Sequence, residues 1–165
     1  MTDSPDDSGS SSDSGFPSPS LVVLVGASRS GKSTWAAARF DSNEIVSLSE
    51  LNSIVGKDTY DSMAGPDAYD LLGRIVAMRT RRGLTVVIDT DGLEKRWRLR
   101  WLDAAAGGSI PTYAVIFASD LSTCVARNAL STRPRPEAVI KRQVMRTFEI
   151  GPEIESEGFE VFVVR

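Results

Sequence analysis

A short run of residues near the start of the chain has the types and spacing that bind phosphate groups. Residues 26–33 read Gly-Ala-Ser-Arg-Ser-Gly-Lys-Ser and fit the pattern G-x-x-x-x-G-K-[ST]. Glycine lets successive backbone N–H groups point at one spot, Lys32 adds a positive charge for the β- and γ-phosphates, and the Ser33 hydroxyl suits Mg²⁺. The pattern predicts a P-loop that binds ATP and Mg²⁺ through Gly26, Ser28, Arg29, Ser30, Gly31, Lys32, Ser33 and Thr34.

The sequence on either side of this loop fits its predicted role. An apolar run at residues 21–25 precedes it and a helix-forming stretch at 34–40 follows, which gives the strand–loop–helix order that the motif requires. Arg29 stands where many such loops have glycine, so a positive φ there would strain its backbone. Its side chain either leans over the nucleotide or an acceptor, or is a solvated loop arginine.

A second candidate site is the end of a buried strand, where the sequence reads Val-Ile-Asp-Thr-Asp at residues 87–91. In a parallel sheet a carboxylate at this position lies beside the P-loop. Asp89 can therefore hold Mg²⁺ directly or through water, and Asp91 is a further candidate. The alternative is that Asp89 caps the helix that follows.

A third candidate site is an arginine-rich connection between two predicted helices, at residues 127–136. Arginines on such a connection can fold over a nucleotide as a lid and neutralise charge on the transferred phosphoryl group. Arg127 and Arg133 are the main candidates, and Arg135 is a weaker one. The alternative is a solvated basic turn.

The composition excludes several kinds of chemistry. The chain has 165 residues, no histidine and one cysteine, Cys124, which we assign to the core. Ser-His-Asp and Cys-His catalysis, a histidine-bound metal and an internal disulfide are therefore excluded. In an enzyme, carboxylates, Lys32, arginines and a metal must do the work. The formal net charge of −3 comes from an acidic N-terminal segment, so no overall basic field points to nucleic acid.

The organisation of the chain is that of one domain behind a polar tail. Residues 1–20 are rich in Ser, Asp, Pro and Gly, which predicts disorder, and residues 21–165 form the globular part. No signal-like stretch and no run long enough to span a bilayer is visible. We expect a cytoplasmic protein with no membrane and no disulfide partner.

Short apolar runs alternate with longer amphipathic stretches along the globular part. This pattern predicts a three-layer α/β fold with a mostly parallel sheet. The predicted strands are residues 21–25, 44–46, 84–88, 112–117 and 160–164. The predicted helices are residues 32–40, 49–55, 67–82, 93–106, 121–130 and 136–150.

Taken together, these motifs resemble a known family. The P-loop, the Asp-Thr-Asp at 89–91, Arg127-Asn128 with Arg133 and Pro136, and the ending Glu-Gly-Phe at 157–159 are similar to the small P-loop kinases of the bacterial polynucleotide 5′-kinase type. The resemblance covers about residues 21–165. It implies a nucleoside-kinase-like P-loop NTPase fold with a helical lid. It also implies transfer of the ATP γ-phosphate to a 5′-hydroxyl of DNA or RNA.

The chain departs from this family on the acceptor side. The family carries an Asp that acts as general base after the second strand, and three residues later an Arg that binds the phosphate of the acceptor. Ser49 and Asn52 stand at those positions here. Serine is a poor base near neutral pH, and asparagine carries no charge.

Three readings follow from these substitutions. In the first, Glu50 or Asp91 serves as the base, although Glu50 would require a rotated helix start. In the second, the acceptor is a small hydroxyl compound and not a nucleic-acid end. In the third, the domain is a regulatory module that binds ATP and has lost catalysis.

One predicted helix interleaves basic and aromatic residues, at positions 96–101. Such a pattern can track nucleic acid. Trp97 and Trp101 are four residues apart, so burial of one helix face against the sheet is the simpler interpretation. Arg96 and Arg100 share the same spacing and are predicted to be exposed.

Overall fold

The computed structural model describes residues 14–59 and 61–165, which build a parallel sheet with helices on its faces. The sheet has five strands in the order β2-β3-β1-β4-β5, and every neighbouring pair is parallel. The strands are β1 (Leu21–Val25), β2 (Ile45–Ser47), β3 (Val86–Asp89), β4 (Thr112–Phe117) and β5 (Glu160–Val164). The predicted α/β P-loop NTPase fold is confirmed.

Helices connect the strands and form the outer layers. They are α1 (Lys32–Ala37), α2 (Leu48–Val55), α3 (Gly65–Arg81), α4 (Lys95–Ala106), α5 (Leu121–Ala129), α6 (Glu137–Glu149) and α7 (Gly151–Glu157). Helix α7 is not among the sequence predictions, because Gly151 and Pro152 read as a break whereas the proline occupies the tolerated first turn of a new helix. Strand β3 begins two residues later than predicted, because the backbone N–H of Leu84 still bonds to Arg79 on α3.

The central strands are buried on both faces, as their continuous apolar runs predict. On one face Leu21, Val23 and Val25 pack with side chains of α2, α3, α4 and α7. On the other face Val22 and Leu24 pack with residues of α1 and a group of aromatic rings. This second face has far less helix to cover it.

The segment that precedes β1 supplies part of the missing cover. The Phe16 ring lies 5.1 Å from that of Tyr113 and 6.1 Å from that of Trp35, and it also contacts Phe40 and Phe162. Phe16, inside the segment 1–20 that the sequence predicts to be disordered, therefore packs against the sheet. Residues 1–13 lie outside the described part, and their disorder stays a prediction. A single aromatic residue outweighs the polar composition because an uncovered sheet face stands next to it.

Replacing Phe16 with alanine tests whether this segment belongs to the folded domain. The half-buried ring loses its contacts with its aromatic neighbours, so we expect Phe16→Ala to lower the free energy of unfolding by about 1–2 kcal/mol. The matched control is Phe148→Ala, which removes a ring that is 62% exposed on α6 and should change little. Equal denaturation midpoints in urea for the two variants would contradict the packing role.

An arginine in the first turn of helix α4 is completely buried, which its sequence neighbours did not suggest. Arg98 donates to both carboxylate oxygens of Glu157 at 2.8 and 2.6 Å, to Glu153 at 2.7 Å and to the Gly92 carbonyl at 2.8 Å. The network ties α4 to α7 and to the loop after β3. Trp101 is buried beside it, as predicted.

The buried arginine makes a second stability prediction. Arg98→Met leaves the Glu157 carboxylate buried without its cation, so we expect a loss of about 3 kcal/mol in the free energy of unfolding. Arg96→Met removes an exposed ion pair with Glu94 and an exposed contact over the Trp97 ring, and it should cost less than about 1 kcal/mol. Chemical denaturation of both variants checks the difference, and similar losses would argue against a structural role for the Arg98 network.

Candidate active site

The loop after β1 turns sharply at the C-terminal edge of the sheet. Gly26 has φ 151°, and its N–H donates to the Asp91 carbonyl at 2.9 Å. A Cβ at Gly26 would lie 3.0 Å from the Phe117 carbonyl oxygen. Only glycine fits between the ends of β3 and β4, so this residue fixes the path of the whole loop.

Arg29 adopts the strained backbone that its position predicts. It has φ 67°, one of the two positive values among non-glycine residues in the described chain. Its guanidinium donates to the Ser131 hydroxyl, and its carbonyl accepts from Arg127 at 3.2 Å. Arg29 is therefore held by the lid and is not a freely solvated loop residue.

Lys32 lies beneath the loop in a buried position. Its Nζ donates to the carbonyls of Gly26 at 2.8 Å and Ala27 at 2.7 Å. Burial lowers the pKa of Lys32 to about 8, while the nearby charges of Asp89 and Asp91 act in the opposite direction. The ammonium and the two carboxylates thus share one small region.

The two carboxylates occupy the end of β3, as the sequence predicts. Asp89 is the last residue of β3 and lines the cleft. Helix α4 begins only at Lys95, and its N-cap is Glu94, so Asp89 does not cap a helix. Asp91 accepts from the N–H of Leu93 at 3.4 Å, which fixes its carboxylate beside the loop.

The first turn of α2 forms the wall opposite the P-loop. Ser47 pairs with Asp89 across the sheet, and its hydroxyl accepts from the Glu50 N–H at 3.4 Å. Ser49 and Glu50 are both exposed and both line the cleft. Asn52 does not line the cleft, because its amide donates to the carbonyls of Thr59 and Asp61, at 3.2 Å each.

The lid consists of α5, α6 and the turn between them, and it brings only some of its arginines to the site. Arg127 and Arg135 line the cleft. Arg133 is not on the cleft wall, and its guanidinium pairs with Asp58 at 3.1 Å. The turn is held by Asn128, whose side chain bonds to the N–H and the carbonyl of Arg135 at 2.9 Å each.

The structure adds one residue that sequence reasoning missed. Gln143 of α6 is buried; its Oε1 accepts from the Ser28 N–H at 3.0 Å, and its Nε2 donates to Asp91 at 3.4 Å. It therefore links the lid helix, the P-loop and the second carboxylate. The available sequence signal is weak: Gln143 shares the buried helix face of Ile140, Val144 and Thr147, which indicates burial but not this role.

The cleft is large, and its donor set fits the predicted metal. Its volume is about 1440 Å³. The Ser33 hydroxyl and the Asp89 carboxylate both line it, and Mg²⁺ takes one or two protein oxygens, the rest of its shell being phosphate oxygens and water. Among the described residues no group of three or more Asp, Glu, Cys or His side chains could hold a metal alone. The two-ligand arrangement suits a metal that arrives with a phosphate.

The P-loop, the acidic strand end and the lid define this protein as a P-loop NTPase with a kinase-like fold. A family model described as an AAA domain matches residues 21–150, and the chain belongs to that family. No curated protein matches the sequence.

Several solved structures share the fold. The Pnkp1/Rnl/Hen1 RNA repair complex aligns with a TM-score of 0.67 and 19% identity over 84% of this chain and 47% of that one, so this chain spans about half its length. A gluconokinase from Sinorhizobium meliloti 1021 aligns with a TM-score of 0.60 and 16% identity, over 90% of this chain and 83% of that one. Kti12 from Chaetomium thermophilum, in complex with ADP-AlF3, aligns with a TM-score of 0.62 and 19% identity, over 87% of this chain and 88% of that one. At these identities the likeness establishes the fold.

Two observations concern features outside the site. Cys124 is buried in α5, and burial raises the pKa of its thiol. In residues 14–59 and 61–165 no helix is long and apolar enough to cross a membrane.

The buried ammonium predicts a specific dependence of stability on pH. The folded pKa of Lys32 is about 8 and its ordinary value is 10.5, so the unfolded chain binds more protons between these pH values. Stability therefore gains from this group as pH rises from 8 to 10.5. The gain is up to about 3 kcal/mol, at roughly 1.4 kcal/mol per pKa unit.

The measurement is urea denaturation of the wild type and Lys32→Met at several pH values from 7 to 10.5. The difference in unfolding free energy between the two proteins should shift in favour of the wild type as pH rises. The other groups that titrate in this range are common to both proteins and cancel. A difference that stays constant would show that the lysine has an ordinary pKa.

Proposed function

We propose that the protein is a Mg²⁺-dependent kinase that transfers the ATP γ-phosphate to a hydroxyl acceptor, either a polynucleotide 5′ end or a small molecule. One observation carries this proposal: the buried Lys32 ammonium lies under the P-loop within reach of the charges of Asp89 and Asp91. A cation for the phosphates and carboxylates for a metal thus meet in one cleft. The buried single cysteine is in keeping with a cytoplasmic setting.

In this proposal the P-loop residues bind the ATP phosphates. The backbone of residues 26–34 surrounds the phosphates, and Lys32 turns from the loop carbonyls to the β- and γ-phosphates. Ser33 and Asp89 would hold the Mg²⁺, and its positive charge would offset that of the phosphates. Arg127 already lies over Arg29 and places a second cation near the transferred group. Arg133 acts only after its ion pair with Asp58 opens.

On the acceptor side, Glu50 is the proposed base. Helix α2 begins at Leu48, and Glu50 in its first turn lines the cleft. The proposal therefore requires no further rotation of the helix start. Asp91 is less suited, because it accepts hydrogen bonds from Leu93 and Gln143. The loose transition state of phosphoryl transfer depends mainly on position and charge, so a modest base suffices.

The structural neighbours support a kinase-like activity in general terms. One is a gluconokinase, one belongs to an RNA repair complex, and one is a protein bound to ADP-AlF3. These names span small-molecule and nucleic-acid contexts, so both kinds of acceptor belong to the proposal.

A second candidate function is an ATP-binding regulatory module without transfer activity. The observation that favours it is the use of Asn52 to hold the loop after α2, together with a serine at position 49. On this reading the acceptor wall has become structural. Binding of Mg–ATP would then persist while no acceptor is phosphorylated.

Transfer from γ-labelled ATP distinguishes the two functions. The assay offers 5′-hydroxyl DNA and RNA oligonucleotides, nucleosides and sugars to the wild type, to Lys32→Ala and to Lys95→Ala, which removes an exposed lysine of α4. We expect product with the wild type and with Lys95→Ala. With Lys32→Ala we expect the transfer rate to fall by roughly a hundredfold or more, because the phosphoryl group loses the cation that stabilises it during transfer.

The pattern of results assigns the function. Product that survives Lys32→Ala would refute the kinase proposal at this site. Tight Mg–ATP binding with no labelled acceptor would support the regulatory module.

A further inference from the structure

The cleft has two halves of opposite charge, divided along the order of the sheet. The half over β1, β4, β5 and the lid is basic. Trp35 packs on Phe117 of β4 at 5.6 Å, and Arg39 lies 4.6 Å over the Trp35 ring, which places both on this side. The basic residues that line this half are Arg29, Lys32, Arg39, Arg127, Arg135 and Arg165. One carboxylate also lines it, that of Asp120 at the start of α5, so the charge of this half stays positive.

The half over β2 and β3 is acidic and rich in hydroxyl groups. Two carboxylates line it, those of Glu50 and Asp89, and a third, that of Asp91, lies at its border with the lid, where it accepts from Gln143. Among the described residues on this wall, none is lysine or arginine. Its other polar groups are the hydroxyls of Ser47, Ser49, Thr59 and Thr90.

The fold fixes these carboxylates on one wall. Because Ser47 pairs with Asp89, helix α2 begins directly beside the end of β3. The cap from Ser47 to the Glu50 N–H holds the first turn there. The Gly26 N–H donates to the Asp91 carbonyl at 2.9 Å, so this acidic wall adjoins the P-loop.

Two nearby groups that could bind a phosphate, a cation and an amide donor, are engaged with other partners. Arg133 pairs with Asp58, and the Asn52 amide donates to two backbone carbonyls. When Asp89 holds a metal, Glu50 and Asp91 still leave this wall negative. A phosphate group on an acceptor would therefore meet carboxylates on the side where the acceptor must sit.

We propose that the acceptor is a hydroxyl compound without phosphate groups: a sugar or polyol that is uncharged or carries an amine. This inference rests on the proposed kinase function and specifies its substrate class. In the reaction the acceptor oxygen bonds to the γ-phosphorus and the bond from that phosphorus to the β–γ bridging oxygen breaks. ADP leaves, and the hydroxyl proton passes to the Glu50 carboxylate.

Two matched series of compounds test the charge preference. Glucosamine and glucose share a ring and differ by one positive charge, and gluconate carries a carboxylate on the same six-carbon skeleton in open-chain form; thymidine and thymidine 3′-monophosphate both offer a 5′-hydroxyl and differ by one phosphate. Their binding to the full chain is measured by ligand-observed NMR, with and without Mg–ADP. We expect affinity to fall by roughly tenfold for each negative charge added, so glucosamine and glucose bind more tightly than gluconate, and thymidine more tightly than its 3′-phosphate.

Variants assign the preference to the wall. Glu50→Gln should reduce the discrimination within each series by several-fold, and Ser49→Lys should reverse it. The control is Glu160→Gln, which removes an exposed carboxylate at the start of β5, at the opposite edge of the sheet, and should leave the discrimination unchanged.

Three outcomes would overturn the inference: equal or tighter binding of the phosphate-bearing compounds, no binding by any sugar, or discrimination that Glu50→Gln leaves intact. The same compounds and a 5′-hydroxyl oligonucleotide in the transfer assay separate this inference from the kinase proposal. Lys32-dependent transfer that favours the oligonucleotide refutes the inference and upholds the kinase. Binding in the expected charge order without any product upholds the acidic wall and contradicts the kinase.

Discussion

The close approach of three chain segments at Gly26 is the constraint on which the site depends. Strand β1 is central in the sheet, so the chain must leave it between the ends of β3 and β4. The Gly26 N–H bonds to the Asp91 carbonyl, and its Cα lies against Phe117. This contact places the P-loop directly beside the aspartates that follow β3. The phosphate-binding backbone and the carboxylates are thus positioned by the same few atoms.

The burial of Lys32 follows from that contact and explains the charge balance of the site. A loop that returns tightly over the strand end encloses the ammonium, and loop carbonyls replace the water it would otherwise bind. The enclosed cation is tolerated because the charges of two aspartates act on it from β3. The charges of Lys32, Asp89 and Asp91 therefore stabilise one another, and bound phosphates would change the interactions of all three. An acidic wall and a basic loop are two consequences of one arrangement.

The parts of this molecule that sequence predicted are those encoded by local patterns. The P-loop spacing, the strand-end aspartates and the doubly buried strands each reflect short-range rules, and all are where the sequence puts them. The buried Arg98, by contrast, depends on Glu153 and Glu157 more than fifty residues away in the chain. Phe16 packs because the sheet face beside it lacks a second helix. Neither the burial of Arg98 nor the packing of Phe16 can be predicted from the neighbouring residues in the sequence.

The lid arginines show the same limit within the site itself. The motif around Arg133 could not reveal that Asp58, in the loop after α2, would pair with it, because that contact joins two connections distant in sequence. Local sequence patterns also could not predict the contacts between the lid and the P-loop. Arg127 and Arg29 bond across the cleft edge, Arg29 reaches Ser131, and Gln143 joins α6 to the Ser28 N–H. Since Gln143 of α6 accepts from the Ser28 N–H, this loop donor is free for another acceptor only when its bond to the lid opens. The lid is therefore part of the phosphate site and not only its cover.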